Sequence, residues 1–229
     1  MAAAISPNAA RRRARGVGVK AGLDLAMILK AAQAFDPDVL TMQAVADELG
    51  VDRKAVNHHV SDRGTLLQLV ATEAFTASFA AVRIPVDADW RTACRIYAFG
   101  MADCTVAAGP YADHFRLTSA LKGALLESVD AVMRTLVEAG FDVETAMRSI
   151  ALITDIAVTY GRDLIRAADS GETNRHVWLR ALFEERNRED FPYAARMVAA
   201  EVDVDTYDRH QLEHSVEVFL RGTAELLDR

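Results

Sequence analysis

The chain has 229 residues, of which 51% are hydrophobic and 26% charged, enough for a small head of ~50 residues and a body of ~150 residues with its own core. Its net charge of −7 excludes wholesale attraction to nucleic acid, so any contact with DNA must come from a local concentration of positive charge. No uninterrupted apolar run reaches membrane length, there is no repeat, and no stretch alternates with the period of two that a half-buried strand requires.

Charge is segregated from the start. Residues 1–22 hold Arg11, Arg12, Arg13, Arg15 and Lys20 and no acid, which makes a basic arm of +5. The arm reads as a flexible segment that follows a phosphate backbone or as a solvated tail. It lacks a signal peptide's apolar stretch, since Asp24 and Lys30 interrupt before one forms. Through Phe75 there are nine Lys or Arg against eight Asp or Glu, so the remainder carries −8.

The segment from Thr41 to Leu66 holds the clearest pattern. Thr41 can cap a helix whose Met42, Val45, Ala46 and Leu49 fall at i, i+3, i+4 and i+7, one apolar face, with Gln43, Asp47 and Glu48 pointing away. Gly50 can take the left-handed conformation that ends a helix, and Gly50-Val51 makes the turn. Asp52 then caps a second helix, Arg53 to Val60. At 100° per residue, Arg53, Asn57, Lys54 and His58 lie at roughly 0°, 40°, 100° and 140°, and His59, Val56 and Val60 at roughly 240°, 300° and 340°. The second arc is expected to dock on the preceding helix. The first presents two cations, an amide and an imidazole, groups that donate to phosphates and base edges in a major groove. Any amphipathic helical hairpin also has a polar face; two caps, an apolar quartet, a glycine corner and a basic arc in this order are more specific to a helix-turn-helix.

On these residues the chain resembles the tetracycline-repressor (TetR) family of bacterial transcription regulators, over its N-terminal DNA-binding domain from about Leu23 to Phe75. The family's supporting first helix is matched by LDLAMILKAAQAF. Its recognition segment, G-V-x-x-x-x-[LV]-[YF]-x-H-[VF], is matched by Gly50 to Val60 with Gly50, Val51, Val56, His59 and Val60 in place. Asn57 stands where the family carries an aromatic that leans on the DNA backbone, and an asparagine can instead read an adenine edge. Asp36-Pro37-Asp38 replaces a loop that more often holds glycine. Ser61-Asp62-Arg63 matches the cap and basic residue opening a fourth helix, Arg63 to about Phe79, whose N-terminus can meet a phosphate. The DNA contacts this implies are Thr41, Gln43, Arg53, Lys54, Asn57, His58, His59 and Arg63.

The step Ile84-Pro85-Val86-Asp87 separates this helix from the rest, because proline forbids helix at its predecessor. The organisation expected is a basic arm at 1–22, a helix-turn-helix domain at 23–75 and a ligand-binding and dimerisation domain at 76–229. Beyond Asp89 the periodicity predicts helices over Trp90 to Ala108, Ser119 to Ala139 ended by Gly140, Asp142 to Ala168, Val177 to Asn187, Pro192 to Glu201 and Thr206 to Leu227. The fold class is therefore all-α, and a cytoplasmic location is expected.

Two of these helices are broadly apolar. In residues 142–168 the stripe Val143, Met147, Ile150, Thr154, Ala157, Gly161 and Leu164 carries small residues that permit close backbone approach. The last helix, 206–227, shows Leu212, Val216, Phe219, Leu220 and Leu227. Either both are buried within one subunit, or they form the four-helix dimer interface that the resemblance implies and that a palindromic operator demands.

The family's bodies bind small molecules among their helices, and the inducer changes the separation of the two heads. Candidate lining residues here are polar or adaptable groups among apolar neighbours: Tyr97, Met101, Asp103 and Cys104; His114, Phe115 and Thr118; Thr154, Asp155 and Val158; and Trp178. Each is open to an ordinary packing or surface role. Asp155 stands out because its neighbours are apolar and a buried carboxylate needs a partner, either a ligand or an arginine, Arg148 or Arg162, of a second subunit.

No catalytic residue, cofactor motif or metal site is expected. His210 and His214 at i, i+4 with Glu213 and Glu217 nearby read as a solvated helix face. Cys94 and Cys104 lie ten residues apart on one helix, ~15 Å along its axis and too far apart to bond, and they suit a reducing compartment. Two functions follow: a dimeric DNA-binding repressor released by a small lipophilic ligand, or an all-α binding protein or enzyme whose N-terminal hairpin is only structural.

Overall fold

The computed structural model describes residues 22–116, 124–170, 174–184, 186–199 and 204–227; the basic arm and Thr118 lie outside the described residues. The described residues are helical, with no strand: α1 (Leu25–Ala32), α2 (Met42–Leu49), α3 (Arg53–His59), α4 (Arg63–Phe79), α5 (Trp90–Ala107), α6 (Ala124–Glu138), α7 (Val143–Ser170), α8 (Asn174–Leu182), α9 (Pro192–Ala199) and α10 (Val204–Ala224). Two 3-10 turns, Gly109–His114 and Arg188–Asp190, were not predicted.

The N-terminal helices begin where their caps stand. The side chains of Asp24, Thr41, Asp52 and Asp62 accept hydrogen bonds from the backbone N–H groups of Met27, Ala44, Lys54 and Thr65. Each such cap contributes about 1 kcal/mol by satisfying a donor that the helix leaves unpaired. Gly50 ends α2 at φ 65°, where a side chain would be strained. Ile28, Leu40, Val45, Ala46, Val56, Val60 and Leu66 are all but fully buried between these helices, and this core is continuous with that of the body.

In the body α5 packs against α7, and Gly161 is the point of closest approach. A Cβ there would lie 2.7 Å from Thr105 Cβ and 2.9 Å from the Ala102 carbonyl oxygen. The small residues of α7 thus admit α5 of the same chain, not a second subunit, and Ile150, Thr154 and Ala157 of the predicted stripe are buried with it. Val143 and Met147 at its N-terminal end are exposed. On α10, Leu212, Val216, Phe219 and Leu220 are likewise buried within the chain. Of the two arrangements the stripes allow, burial within one subunit accounts for most of these residues, since a helix wheel does not say which neighbour covers a face.

The body reaches the N-terminal helices at the 3-10 turn Gly109–His114. The Tyr111 hydroxyl lies 2.8 Å from the Ala32 carbonyl and 2.7 Å from the Phe35 carbonyl, at the C-terminal end of α1. Phe115 stacks on Phe75 of α4 at 4.3 Å, and Phe79 continues the cluster to Tyr97 of α5. From α7, Arg162 donates to the Ala112 and Phe115 carbonyls and Arg166 to Asp113 at 2.8 Å. One turn is therefore pinned by α1, α4 and α7.

Candidate nucleic-acid interface

Helix α3 turns Val56 inward with the following Val60, while Arg53, Lys54, Asn57, His58 and His59 are exposed. His59 departs from the wheel, which placed it on the docking arc. On a seven-residue helix buried through Val56 and Val60, the last turn projects past its neighbour, and the His59 ring meets the His58 ring edge-on at 5.5 Å. The exposed face thus holds two cations, an amide and two imidazoles in consecutive turns. These groups donate to phosphate oxygens and base edges, and a helix of this width enters a major groove.

The flanking predicted contacts divide. Thr41 and Gln43 are exposed on α2, Thr41 as the cap and Gln43 donating to Asp47 Oδ1 at 2.9 Å. Arg63, expected to meet phosphate, reaches back into the α1–α2 loop: its Nε donates to the Leu40 carbonyl at 2.7 Å and its Nη2 to the Pro37 carbonyl at 2.6 Å. Its planar fork fits two carbonyls of a loop that Asp36 folds by accepting from the Asp38 N–H. The geometry makes Arg63 a clamp on the helix-turn-helix. Beside it, hydrogen bonds from Ser61 and Thr65 hold the Asp62 carboxyl below its ordinary pKa, so the cap stays ionised.

The predicted ligand contacts do not gather in one place. Tyr97, Met101, Cys104, Phe115 and Thr154 are buried in the core. Tyr97 Oη and Thr154 Oγ1 lie 3.0 Å apart, and the Thr154 hydroxyl also lies 2.7 Å from the Ile150 carbonyl. Burial pushes the Tyr97 pKa up. His114 and Val158 are half-buried, whereas Asp103 and Asp155 are exposed and Trp178 is 60% exposed. Within the single chain Asp155 is exposed: Ile153, Thr154 and Ala157 beside it face inward, while Ala151 and Leu152 share its outward face.

A well-formed concavity lies elsewhere, a groove of about 780 Å³ between α7 and α10. Leu152, Ile156, Val218, Phe219 and Leu226 supply its apolar floor, and Arg148 and His214 stand at it. Sequence reasoning missed it because the outward residues of α7 and α10 are fewer than the inward ones, though Leu152 and Ile156 at i, i+4 and Val218 two turns before Leu226 are readable signals. Among the described residues no group of three His, Cys, Asp or Glu could hold a metal, and no helix is long and apolar enough to cross a membrane.

No protein-family model matches the chain, and no curated protein matches it by sequence. Solved structures do match. A possible TetR family transcriptional regulator from Streptomyces coelicolor A3(2) aligns with a TM-score of 0.72 at 22% identity, covering 89% of this chain and 100% of the other. The Streptomyces coelicolor TetR family protein ActR, in complex with actinorhodin, aligns with a TM-score of 0.68 at 18% identity over 89% and 96% of the two chains. Mycobacterium smegmatis BioQ aligns with a TM-score of 0.59 at 16% identity over 89% and 99%. Matched over nearly their whole length, with the helix-turn-helix at the N-terminus and the larger helical body behind it, the chain has the fold of the TetR-family transcription regulators.

Proposed function

We propose that this protein is a TetR-type transcription regulator, acting in the cytoplasm as a repressor that binds palindromic DNA as a homodimer and is released by a small lipophilic ligand. In this reading residues 23–75 read DNA, 76–229 bind the ligand and the second copy, and the arm at 1–22 adds phosphate contacts. The observation that carries it is the α3 face. Arg53, Lys54, Asn57 and His58 are exposed together while Val56 and Val60 lock the helix onto α2, in a fold whose solved relatives are described as regulators. The acidic body leaves this head and the arm as the places where phosphate attraction arises.

The complex of ActR with actinorhodin supports ligand response by analogy of fold. Of the predicted ligand contacts, the reading retains Tyr97 and Thr154, whose paired hydroxyls lie inside the body where an effector can exchange one hydrogen bond for another. Binding of the full-length protein to duplexes from upstream of its own gene, titrated against salt, tests the function. The reading requires one palindromic duplex to bind at least about 10³-fold tighter than random DNA, with affinity falling steeply as salt rises. Equal affinity for all duplexes at physiological salt would overturn it.

A further inference from the structure

The exposed polar residues of α3 are not equivalent, because the helix is docked through a defined side. At 100° per residue Val56 and Val60 lie at roughly 300° and 340° and the half-buried Ala55 at roughly 200°, so the docked arc centres at roughly 290° and the direction opposite it is roughly 110°. Lys54 and His58 stand there, at roughly 100° and 140°. Arg53 and Asn57, at roughly 0° and 40°, lie on one flank, and His59, at roughly 240°, lies on the other with its ring edge-on to His58. The side chains of Lys54 and His58 make no hydrogen bond or ion pair among the described residues, whereas the Gln43 amide is held by Asp47 and the Arg63 guanidinium by its own loop.

A major groove about 12 Å wide takes a helix about 10–12 Å across with its docked side turned to the protein, its opposite side to the base edges and its flanks to the two phosphate walls. From this we infer, resting on the DNA-reading function proposed above, that Lys54 and His58 determine base specificity and that the base they select is guanine, while Arg53, Asn57 and His59 hold phosphates. Both floor residues donate: an ammonium has donors only, and an imidazole presents an N–H in either charge state. Guanine is the base whose major-groove edge offers two acceptors, N7 and O6, and no donor. The amino groups of adenine and cytosine set a donor against the ammonium, and thymine sets a methyl beside its one acceptor. Lys54 and His58 are one turn apart, about 6 Å along the axis, which is about two steps of a duplex that rises about 3.4 Å per base pair. The half-site they select therefore carries two guanines about two base pairs apart.

Selection from a random duplex library with the full-length protein, followed by titration of the enriched duplex, tests the assignment. Each guanine is replaced in turn by 7-deazaguanine, which lacks N7, and by adenine, which has a donor in place of O6. Wild type is compared with Lys54→Ala, His58→Ala, Arg53→Ala and Asn57→Ala, each checked for fold by circular dichroism. Wild type should lose about fivefold or more in affinity under one replacement or both at two positions, one of which becomes indifferent in Lys54→Ala and the other in His58→Ala. Arg53→Ala should weaken binding to all duplexes alike and lower the salt slope by about 1, while Asn57→Ala leaves both base losses in place. A loss that persists in Lys54→Ala or in His58→Ala removes that residue from the reading. An enriched duplex with no sensitive guanine, or a sensitivity that vanishes only in Arg53→Ala or Asn57→Ala, overturns the assignment and leaves the regulator standing. A library from which nothing is enriched over random DNA overturns both.

Discussion

Replacing Tyr111 by phenylalanine isolates the joint between body and N-terminal helices, because the ring is kept and one hydroxyl is lost. That hydroxyl stands within 2.8 Å of two carbonyls at the C-terminal end of α1, where helical carbonyls lack intrahelical donors. The Ala32 carbonyl keeps a second donor, the Phe35 N–H at 3.1 Å, whereas the Phe35 carbonyl accepts from no other group among the described residues. Tyr111 is 5% exposed, so water does not readily take the vacated place. The net hydrogen bond is worth about 1 kcal/mol and the orphaned carbonyl adds about 1 more, for a loss of about 1.5–2.5 kcal/mol. With a urea m-value of about 2 kcal/mol/M, the unfolding midpoint falls by roughly 1 M. Hydrogen exchange should quicken most in the last turn of α1 and the loop after it, well beyond any change in α7. A midpoint within about 0.2 M of wild type, or exchange that rises evenly along the chain, refutes the view that this hydroxyl pins α1 to the body.

Four further outcomes follow from the same geometry. Gly161→Ala forces a methyl against Thr105 and the Ala102 carbonyl and should cost about 1–3 kcal/mol, lowering the Tm by roughly 2–12 °C in a thermal melt. Arg63→Ala should cost about 1–2 kcal/mol by releasing the loop carbonyls, while Arg53→Ala changes stability by less than about 0.5 kcal/mol but lowers the salt slope of DNA binding by about 1; an equal stability loss for both would mean that α3 is docked the other way. Cys94 and Cys104 are buried, with their thiol pKa values pushed up to about 12, so a disulfide-exchange reagent at pH 8 should titrate neither in the native protein and both after denaturation. The cap carboxylates Asp62, Asp89 and Asp142 have folded pKa values below the ordinary 3.8, held down chiefly by hydrogen bonds from Ser61, Thr92 and Thr145. Their contribution is complete above that ordinary value and is lost as pH falls below it through the folded values; Asp89→Asn should flatten the acid limb of a urea-midpoint profile, and an unchanged limb would contradict the assignment.

Much of the N-terminal region was legible because its signals are local. Thr41, Gly50, Asp52 and Asp62 act on backbone groups two or three residues away, so sequence spacing is spatial geometry, and every one of these caps and corners stands where the spacing puts it. Val56 and Val60 are buried as their angles require. Arg63 was not legible in this way. Its hydrogen bonds run to residues 23 and 26 positions earlier, and nothing in the local pattern distinguishes a guanidinium that clamps its own loop from one that waits for phosphate.

The body posed the harder problem because a helix there has more than one face to account for. Gly161 and Ala157 read as a close-approach surface; at Gly161 it is α5 of the same chain that approaches, and Ala157 is buried beside it. With that face covered internally, the outward face of α7 is the mixed one of Arg148, Ala151, Leu152 and Asp155, where two apolar residues are flanked by charges. Asp155 attracted notice as a carboxylate in an apolar run. Of that run Ile150, Ile153, Thr154 and Ala157 are buried, whereas Ala151, Leu152 and Asp155 are exposed on the opposite side. A carboxylate on the exposed face of a helix whose opposite face is buried costs little, because water still solvates it.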